Sequence, residues 1–155
     1  MELKFQVFTR IQKPVAEVFD AVYNPEKLSG YFTNGGASAP LDEGSVVEWS
    51  FDDGPDQQIT FPVTVAEMVK NERIVFFWQS TSAGENTRVE MTFEADGDTT
   101  IVRVAESGWP ESDLERSYSN CQGWAQMTSA LKAYVEYGIN LRKGAFEGLW
   151  SPSDH

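Results

Sequence analysis

The hydrophobic pattern of the sequence changes period once, after Pro110, and this change most constrains the fold. Before Pro110, apolar residues recur at every second position in several segments, which is typical of half-buried strands. After it, they recur at helical spacing as far as Leu141. A sheet and a long helix that each have one apolar face are expected to bury those faces against each other. The sequence therefore predicts an α+β domain with a C-terminal helix packed on a sheet.

Six strands are predicted, and because short turns join them after the second, the sheet is expected to be antiparallel. The expected segments are 3–11, 46–51, 59–66, 73–79, 88–94 and 99–106. The fourth of these is almost entirely apolar, so its pattern does not indicate which side faces inward. The stretch 33–44 is rich in glycine and proline and is expected to be a loop.

Three helices are predicted, two of them short and both between the first two strands. The first is expected at 14–23, and Asn24-Pro25 opens the second. The long helix is expected near 113–141, begun by a capping box of Ser112 and Glu115. Its apolar positions form two adjoining stripes, and Cys121 is expected to be a small buried hydrophobic residue within one of them.

The composition excludes several kinds of site. The chain has 155 residues, the size of one domain, with a frayed tail expected from about residue 144. Cys121 is the one cysteine and His155, the last residue, is the one histidine. A disulfide framework, a multi-cysteine metal site and histidine acid–base catalysis are therefore excluded from the interior. No metal, cofactor or catalytic residue is predicted.

Charge narrows the choice of partners. The 12 basic and 24 acidic residues give a net charge of −12, which repels nucleic acid and anionic lipid surfaces. The longest apolar run, Ile74 to Trp78, is far shorter than the roughly 20 residues that span a bilayer. The N-terminus lacks the pattern of a signal peptide, so a cytoplasmic protein is expected.

An acidic cluster in the middle of the chain is interpreted as a solvated turn rather than a cation site. Its members are Asp52, Asp53 and Asp56, with Asp42 and Glu43 nearby. Calcium needs about 6–8 oxygen ligands in a shaped loop, and the spacing here is not that of an EF-hand. Aspartate is also a common residue of hairpin turns.

The order of elements and four short segments carry a family resemblance. The segments are residues 10–21 (RIQKPVAEVFDA), 24–28 (NPEKL), 106–110 (ESGWP) and Gly123-Trp124 followed by Leu131. Over residues 2 to about 143 the chain resembles the SRPBCC superfamily, whose START-like members have the helix-grip fold. Within it, the chain is most similar to the C-terminal-like domain of the activator of heat-shock-protein-90 ATPase. Tyr31-Phe32 stands where these relatives often carry Trp-Phe or Trp-Trp.

The resemblance implies a cavity between a curved sheet and the C-terminal helix, used for apolar small molecules in some relatives and for partner contact in others. Large apolar side chains with few polar groups are also typical of a pre-formed pocket, although a solid aromatic core is the alternative. The residues expected to line the cavity are Phe32, Trp49, Phe51, Phe61, Val63, Trp78, Val89, Met91, Phe93, Trp109, Asn120, Trp124 and Met127.

Three functions follow as hypotheses. The first is non-catalytic binding of an apolar small molecule. The second, implied by the resemblance, is an interaction module for a chaperone, with an exposed apolar patch ringed by charge. The third is a cyclase- or dehydratase-like enzyme, which ranks last because Glu106 is almost the only ionisable group expected on the inward side of the strands.

Overall fold

The structure, a computed structural model, describes residues 2–52, 58–146 and 149. The strands are β1 (Glu2–Ile11), β2 (Gly36–Ala37), β3 (Val46–Phe51), β4 (Ile59–Val69), β5 (Arg73–Gln79), β6 (Asn86–Asp96) and β7 (Thr99–Pro110). The helices are α1 (Val15–Tyr23), α2 (Pro25–Leu28) and α3 (Leu114–Tyr137), and a 3₁₀ turn, Glu111–Asp113, precedes α3. The predicted helix-grip architecture is confirmed.

All strands pair antiparallel in one sheet with the order β1-β7-β6-β5-β4-β3-β2. The sheet has seven strands in the described residues, so the predicted number of six is one too few. The additional strand, β2, lies in the segment expected to be a loop and pairs with Trp49 and Ser50 of β3. Two residues are too few to show an alternating pattern, which is why the sequence did not reveal it.

Alternation along the strands places one side chain in two in the core. In β3 the buried side chains are Val47, Trp49 and Phe51, and β6 and β7 follow the same rule. Ile74 and Phe76 belong to the core, which settles the inward side of β5 that the sequence left open.

The long helix is shorter at both ends than predicted. It begins at Leu114, and the residue before it, Asp113, makes no capping hydrogen bond. The Asp113 carboxylate instead accepts hydrogen bonds from the backbone and hydroxyl of Ser82. The helix ends before Gly138, which is left-handed with φ 69°, so Leu141 lies beyond it.

The buried face of α3 also differs from the predicted stripes in its first half. Leu114 and Tyr118 are exposed, and Cys121 is half-buried. The buried residues are Ser117, Asn120, Trp124, Met127, Thr128, Ala130 and Leu131. The early members are polar because that part of the helix covers a buried carboxylate, described below, rather than a purely apolar core.

The sheet opens between β4 and β5 at one end. Their pairing begins at Thr64 and Phe77, so Phe61 and Trp78 lie beyond the shared ladder. Pro62 also lies in this part of β4, where the paired neighbour is β3, in agreement with its lack of a backbone N–H donor. Because α3 packs mainly on β1 and β7, space remains between the helix and this end of the sheet.

Candidate ligand-binding site

A partly open cavity of about 1030 Å³ occupies this space. Its size is slightly above the roughly 300–1,000 Å³ that is typical of small-molecule sites. The walls come from residue 32 after α2, the end of β3, the start of β4, the end of β5 with the loop that follows it, the first half of α3, and a C-terminal segment from residue 142.

Five aromatic side chains form a closed ring along the wall of the cavity, and we call this ring the aromatic cup. Its members, each in contact with the next, are Phe32, Phe51, Phe61, Trp78 and Trp124. The successive centroid distances are 5.1, 5.9, 5.6 and 5.6 Å, and 5.6 Å separates the last member from the first. Tilted and edge-to-face contacts at this spacing are favourable for aromatic pairs.

Two further aromatic side chains support the cup from the core. The Trp49 ring lies 5.6 Å from Phe32 and 5.9 Å from Trp78. The Phe76 ring contacts Trp78 and Trp124 at 5.8 and 6.2 Å. Trp49 and Phe76 are both fully buried, so the cup rests on a packed base that fixes its shape.

A buried carboxylate, Glu106, anchors the two indoles of the cup. Its Oε2 accepts hydrogen bonds from Nε1 of Trp78 (2.9 Å) and from Oγ1 of Thr87 (2.5 Å). Its Oε1 accepts from Nε1 of Trp124 at 2.8 Å. The amide of Asn120 donates to both oxygens at 3.3 and 3.4 Å. Four side chains from three elements therefore converge on one carboxylate and hold the indole rings in place.

The protonation of Glu106 reflects two opposed effects. Burial raises the pKa of this carboxyl above its usual range, while the hydrogen bonds from Thr87, Trp78, Trp124 and Asn120 act to lower it. Indole nitrogens are donors only, so a proton on Glu106 has no acceptor on the two tryptophans. The hydrogen bonds thus favour an ionised carboxylate, while burial, the larger effect, opposes ionisation and leaves the pKa raised.

A polar end of the cavity adjoins the cup. Here the loop after β5 meets the first turns of α3: Nε of Arg116 donates to the carbonyl of Ser80 at 2.8 Å, and Asn120 donates to the Ser80 hydroxyl at 2.6 Å. The bonds from Ser82 to Asp113 fix the same loop. They also lower the pKa of Asp113 below its usual range. The loop and the helix are therefore held together at this end.

The chain beyond α3 covers part of the cavity. The guanidinium of Arg142 lies 4.9 Å from the ring centroid of Phe32 and 4.8 Å from that of Phe146. It also donates to the backbone carbonyl of Phe32 at 2.9 Å. These contacts hold a stretch that includes residues 144–146 against the cup. The stretch is the start of the tail that was predicted to be frayed. Residues 147, 148 and 150–155 lie outside the described part.

The structure separates the thirteen predicted cavity residues into three groups. Those that line the cavity are Phe32, Phe51, Phe61, Trp78, Asn120 and Trp124. Those that lie buried in the core behind it are Trp49, Val63, Val89, Met91, Phe93 and Met127. Trp109 is buried elsewhere, stacked on Phe5 at 5.4 Å.

Sequence reasoning missed two arginines of the site, Arg116 and Arg142. Neither belongs to a motif, and Arg142 falls in the segment expected to continue the helix. Glu106 was singled out only as a possible catalytic group, because its spacing from the indoles depends on how three strands and a helix come together.

The acidic cluster forms no metal site in the described residues. Asp42 accepts a hydrogen bond from the Tyr23 hydroxyl at 2.5 Å, and Glu43 from the backbone of Met68 at 3.2 Å. Asp53 and Asp56 lie outside the described part. Within that part, no group of three or more metal-ligating side chains lies close enough together to hold an ion. Its helices are too short or too polar to cross a bilayer.

Comparison with known proteins identifies the family. The family model described as Activator of Hsp90 ATPase homolog 1-like protein matches residues 12–136. The chain belongs to this family. Membership is consistent with a ligand-binding or regulatory domain. No curated protein matches the chain.

Solved structures share the fold. SSP2350 from Staphylococcus saprophyticus is 23% identical, with a TM-score of 0.75 over 90% of this chain and 96% of that one. The Aha1 dimer of Colwellia psychrerythraea is 19% identical, with a TM-score of 0.73 over 88% and 98%. DynU16, from the dynemicin biosynthetic locus, is 26% identical with a TM-score of 0.74; the match covers 88% of this chain and 48% of DynU16.

Proposed function

We propose that this member of the activator family binds an apolar, aromatic small molecule in the aromatic cup without transforming it. The observation that carries the proposal is the closed ring of five aromatic side chains along a cavity of about 1030 Å³. Side chains that only fill a core leave no such volume beside them, since interiors are close-packed.

The placement of Glu106 supports binding rather than catalysis. The carboxylate is fully buried and all its recorded partners are donors that hold protein groups. Of the described residues that line the cavity, Glu115 alone carries a carboxylate, and its side chain is exposed. An acid or base must reach the proton that it transfers, and Glu106 instead serves to position Trp78 and Trp124.

A fluorescence titration with N-phenyl-1-naphthylamine, a neutral aromatic probe, tests this proposal. We expect saturable one-to-one binding by the parent protein. Phe61→Ala removes one wall of the cup at a half-buried position and should weaken binding about fivefold, which corresponds to the loss of one aromatic contact.

The matched control is Phe77→Ala. Phe77 is also half-buried, on the neighbouring strand β5, but its neighbour Phe76 faces the core, so Phe77 lies on the opposite face of the sheet. Its replacement should leave probe affinity within about twofold of the parent. Absence of saturable binding by the folded parent, or equal effects of the two substitutions, would contradict the proposal.

A second candidate function is interaction with a chaperone, for which the family match is the main support. At the end of α3 and just beyond it, three large side chains are exposed: Tyr137 (71%), Ile139 (53%) and Leu141 (54%). Such a stretch is the kind of apolar surface that a protein partner covers. Calorimetric titration of the parent and of Ile139→Ser with purified Hsp90 tests this second function. A chaperone interaction also requires a cytoplasmic location, which remains a prediction.

A further inference from the structure

We propose that the aromatic ligand also carries one acidic group: its apolar ring system occupies the aromatic cup, and its carboxylate- or sulfonate-like group is bound by Arg116. This inference rests on the proposed function and names the chemical class of the ligand. It is carried by the charge of the cavity wall, by the geometry of Arg116 and by the position of Glu106.

Among the described residues, the cavity wall carries more basic than acidic side chains, although the chain is strongly acidic. The whole chain carries 24 acidic and 12 basic residues. The described lining residues include two arginines, Arg116 and Arg142, against the single exposed carboxylate of Glu115. This local excess of positive charge, in a chain with a net charge of −12, favours a negatively charged group in the cavity.

Arg116 is oriented but retains donors for a ligand. Its side chain is half-buried, and Nε is held by the Ser80 carbonyl at 2.8 Å. Within the described residues, no carboxylate lies close enough to form an ion pair with Arg116. The charge of Arg116 does act on the Asp113 carboxylate, but that carboxylate accepts its hydrogen bonds from Ser82. The planar guanidinium thus retains its two terminal nitrogens, the fork that matches an oxyanion.

The distance between Arg116 and the aromatic cup suits a small polycyclic molecule. Arg116 and Trp124 lie eight residues apart on α3, which is about 12 Å along a helix axis. Both line the same cavity, and Asn120 lies between them. A ligand with its rings against Trp124 can therefore reach Arg116 with an acidic group on the side of the ring system that faces it.

Glu106 determines which way such a ligand lies. Both indole N–H groups of the cup already donate to it, so the indoles leave no donor for an anionic group inside the cup. The acidic group is therefore directed away from the cup, toward Arg116. Aromatic cups can also bind cations, but here the Arg142 guanidinium already occupies a position over Phe32 at 4.9 Å, and a second cation would be repelled.

The test compares two probes that differ by one acidic group. N-phenyl-1-naphthylamine is neutral, and 8-anilino-1-naphthalenesulfonate is the same ring system with a sulfonate. We expect the parent protein to bind the sulfonate probe about tenfold more tightly than the neutral probe, because one charge-assisted hydrogen bond contributes about that much affinity.

Two variants of equal charge locate the contact. Arg116→Gln should abolish most of the preference for the sulfonate and leave the affinity for the neutral probe within about twofold. Arg88→Gln removes the same charge from an exposed arginine outside the cavity, 3.4 Å from Glu90, and should preserve the preference. Neutral-probe binding also shows that each variant is folded.

The outcomes separate this inference from the proposed function. If the parent binds neither probe, the proposed function fails. If it binds the neutral probe as tightly as the sulfonate or more tightly, or if the two variants lose the preference equally, the proposed function stands and the anionic class is wrong.

Discussion

A carboxylate buried beneath an apolar cavity destabilises a fold unless donors surround it. Glu106 meets this condition through two indoles, a hydroxyl and an amide. Because Trp78 and Trp124 belong to the cup, the residue that satisfies their N–H groups also fixes the shape of the site. At the scale of single residues, polar anchoring of aromatic side chains is the main feature of this cavity.

Substitution of Glu106 should have an effect on stability that depends on pH. In Glu106→Gln the side chain has one oxygen, so one indole N–H is left facing an NH₂ group, and we expect the free energy of unfolding to fall by about 2 kcal/mol. Urea unfolding of the parent and the variant, across a series of pH values, measures the difference.

The sign of the pH dependence follows from burial, which raises the pKa of Glu106 in the folded state. The folded state therefore binds a proton on Glu106 more tightly than the unfolded state does, and this binding stabilises the parent protein. The stabilisation is complete below the ordinary carboxyl range, about pH 4, and is lost as the pH rises through the raised pKa. The variant lacks this group, so its deficit should shrink as the pH rises from about 4 to 7. A deficit that grows over this range would contradict a raised pKa.

The sequence indicated that several aromatic residues point inward but not how they are anchored. Phe51 and Trp124 followed from strand and helix periodicity combined with the family resemblance, whereas periodicity left open the inward side of the strand that carries Trp78. The bonds of Glu106 join residues 14 to 28 positions apart in the chain, and periodicity within one element carries no information on such pairs. Trp109 is a separate case, because an irregularity beside it, which the sequence pattern does not reveal, places it on the buried side of the sheet but away from the cup.

That irregularity is a β-bulge at the end of β7. The register with β1 shifts between Leu3 and Lys4, opposite Trp109 and Ser107, and Gly108 is inserted with φ 109°. The extra residue reverses the alternation, so Trp109 returns to the buried side of the sheet, where it packs on Phe5 and not beside the cup. At the scale of elements, one glycine therefore determines that a large aromatic residue beyond Glu106 is buried rather than exposed.

Two glycine substitutions should have opposite effects on stability. Gly108→Ala places a side chain at a φ that favours glycine and should cost about 1–3 kcal/mol. Gly123→Ala lies in α3, where a new Cβ meets no atom within 4 Å, and should stabilise the protein by up to about 1 kcal/mol. Urea unfolding of both variants provides the comparison.

Equal destabilisation by the two substitutions would show that α3 needs a glycine at position 123 for its path over the sheet. The open space around Gly123 indicates instead that the residue is tolerated at the cavity wall.

At the scale of the whole molecule, the cavity results from unequal coverage of the sheet. Helix α3 packs mainly on β1 and β7, while the pairing of β4 with β5 stops at Thr64 and Phe77. The change of period after Pro110 predicted the two layers. It could not predict the gap between them, because the end of a ladder and the path of the chain after Gly138 depend on contacts far apart in sequence.

The central claim is that the aromatic cup is a binding site, and the indole N–H signals of the tryptophans test it most directly. In ¹H–¹⁵N spectra recorded during titration with N-phenyl-1-naphthylamine, the account predicts that the signals of Trp78 and Trp124 shift and saturate together. The signal of Trp109, which lies against Phe5 outside the cavity, should remain in place. A shift of Trp109 equal to theirs, or no shift of Trp78 and Trp124 at saturating probe, would contradict the claim.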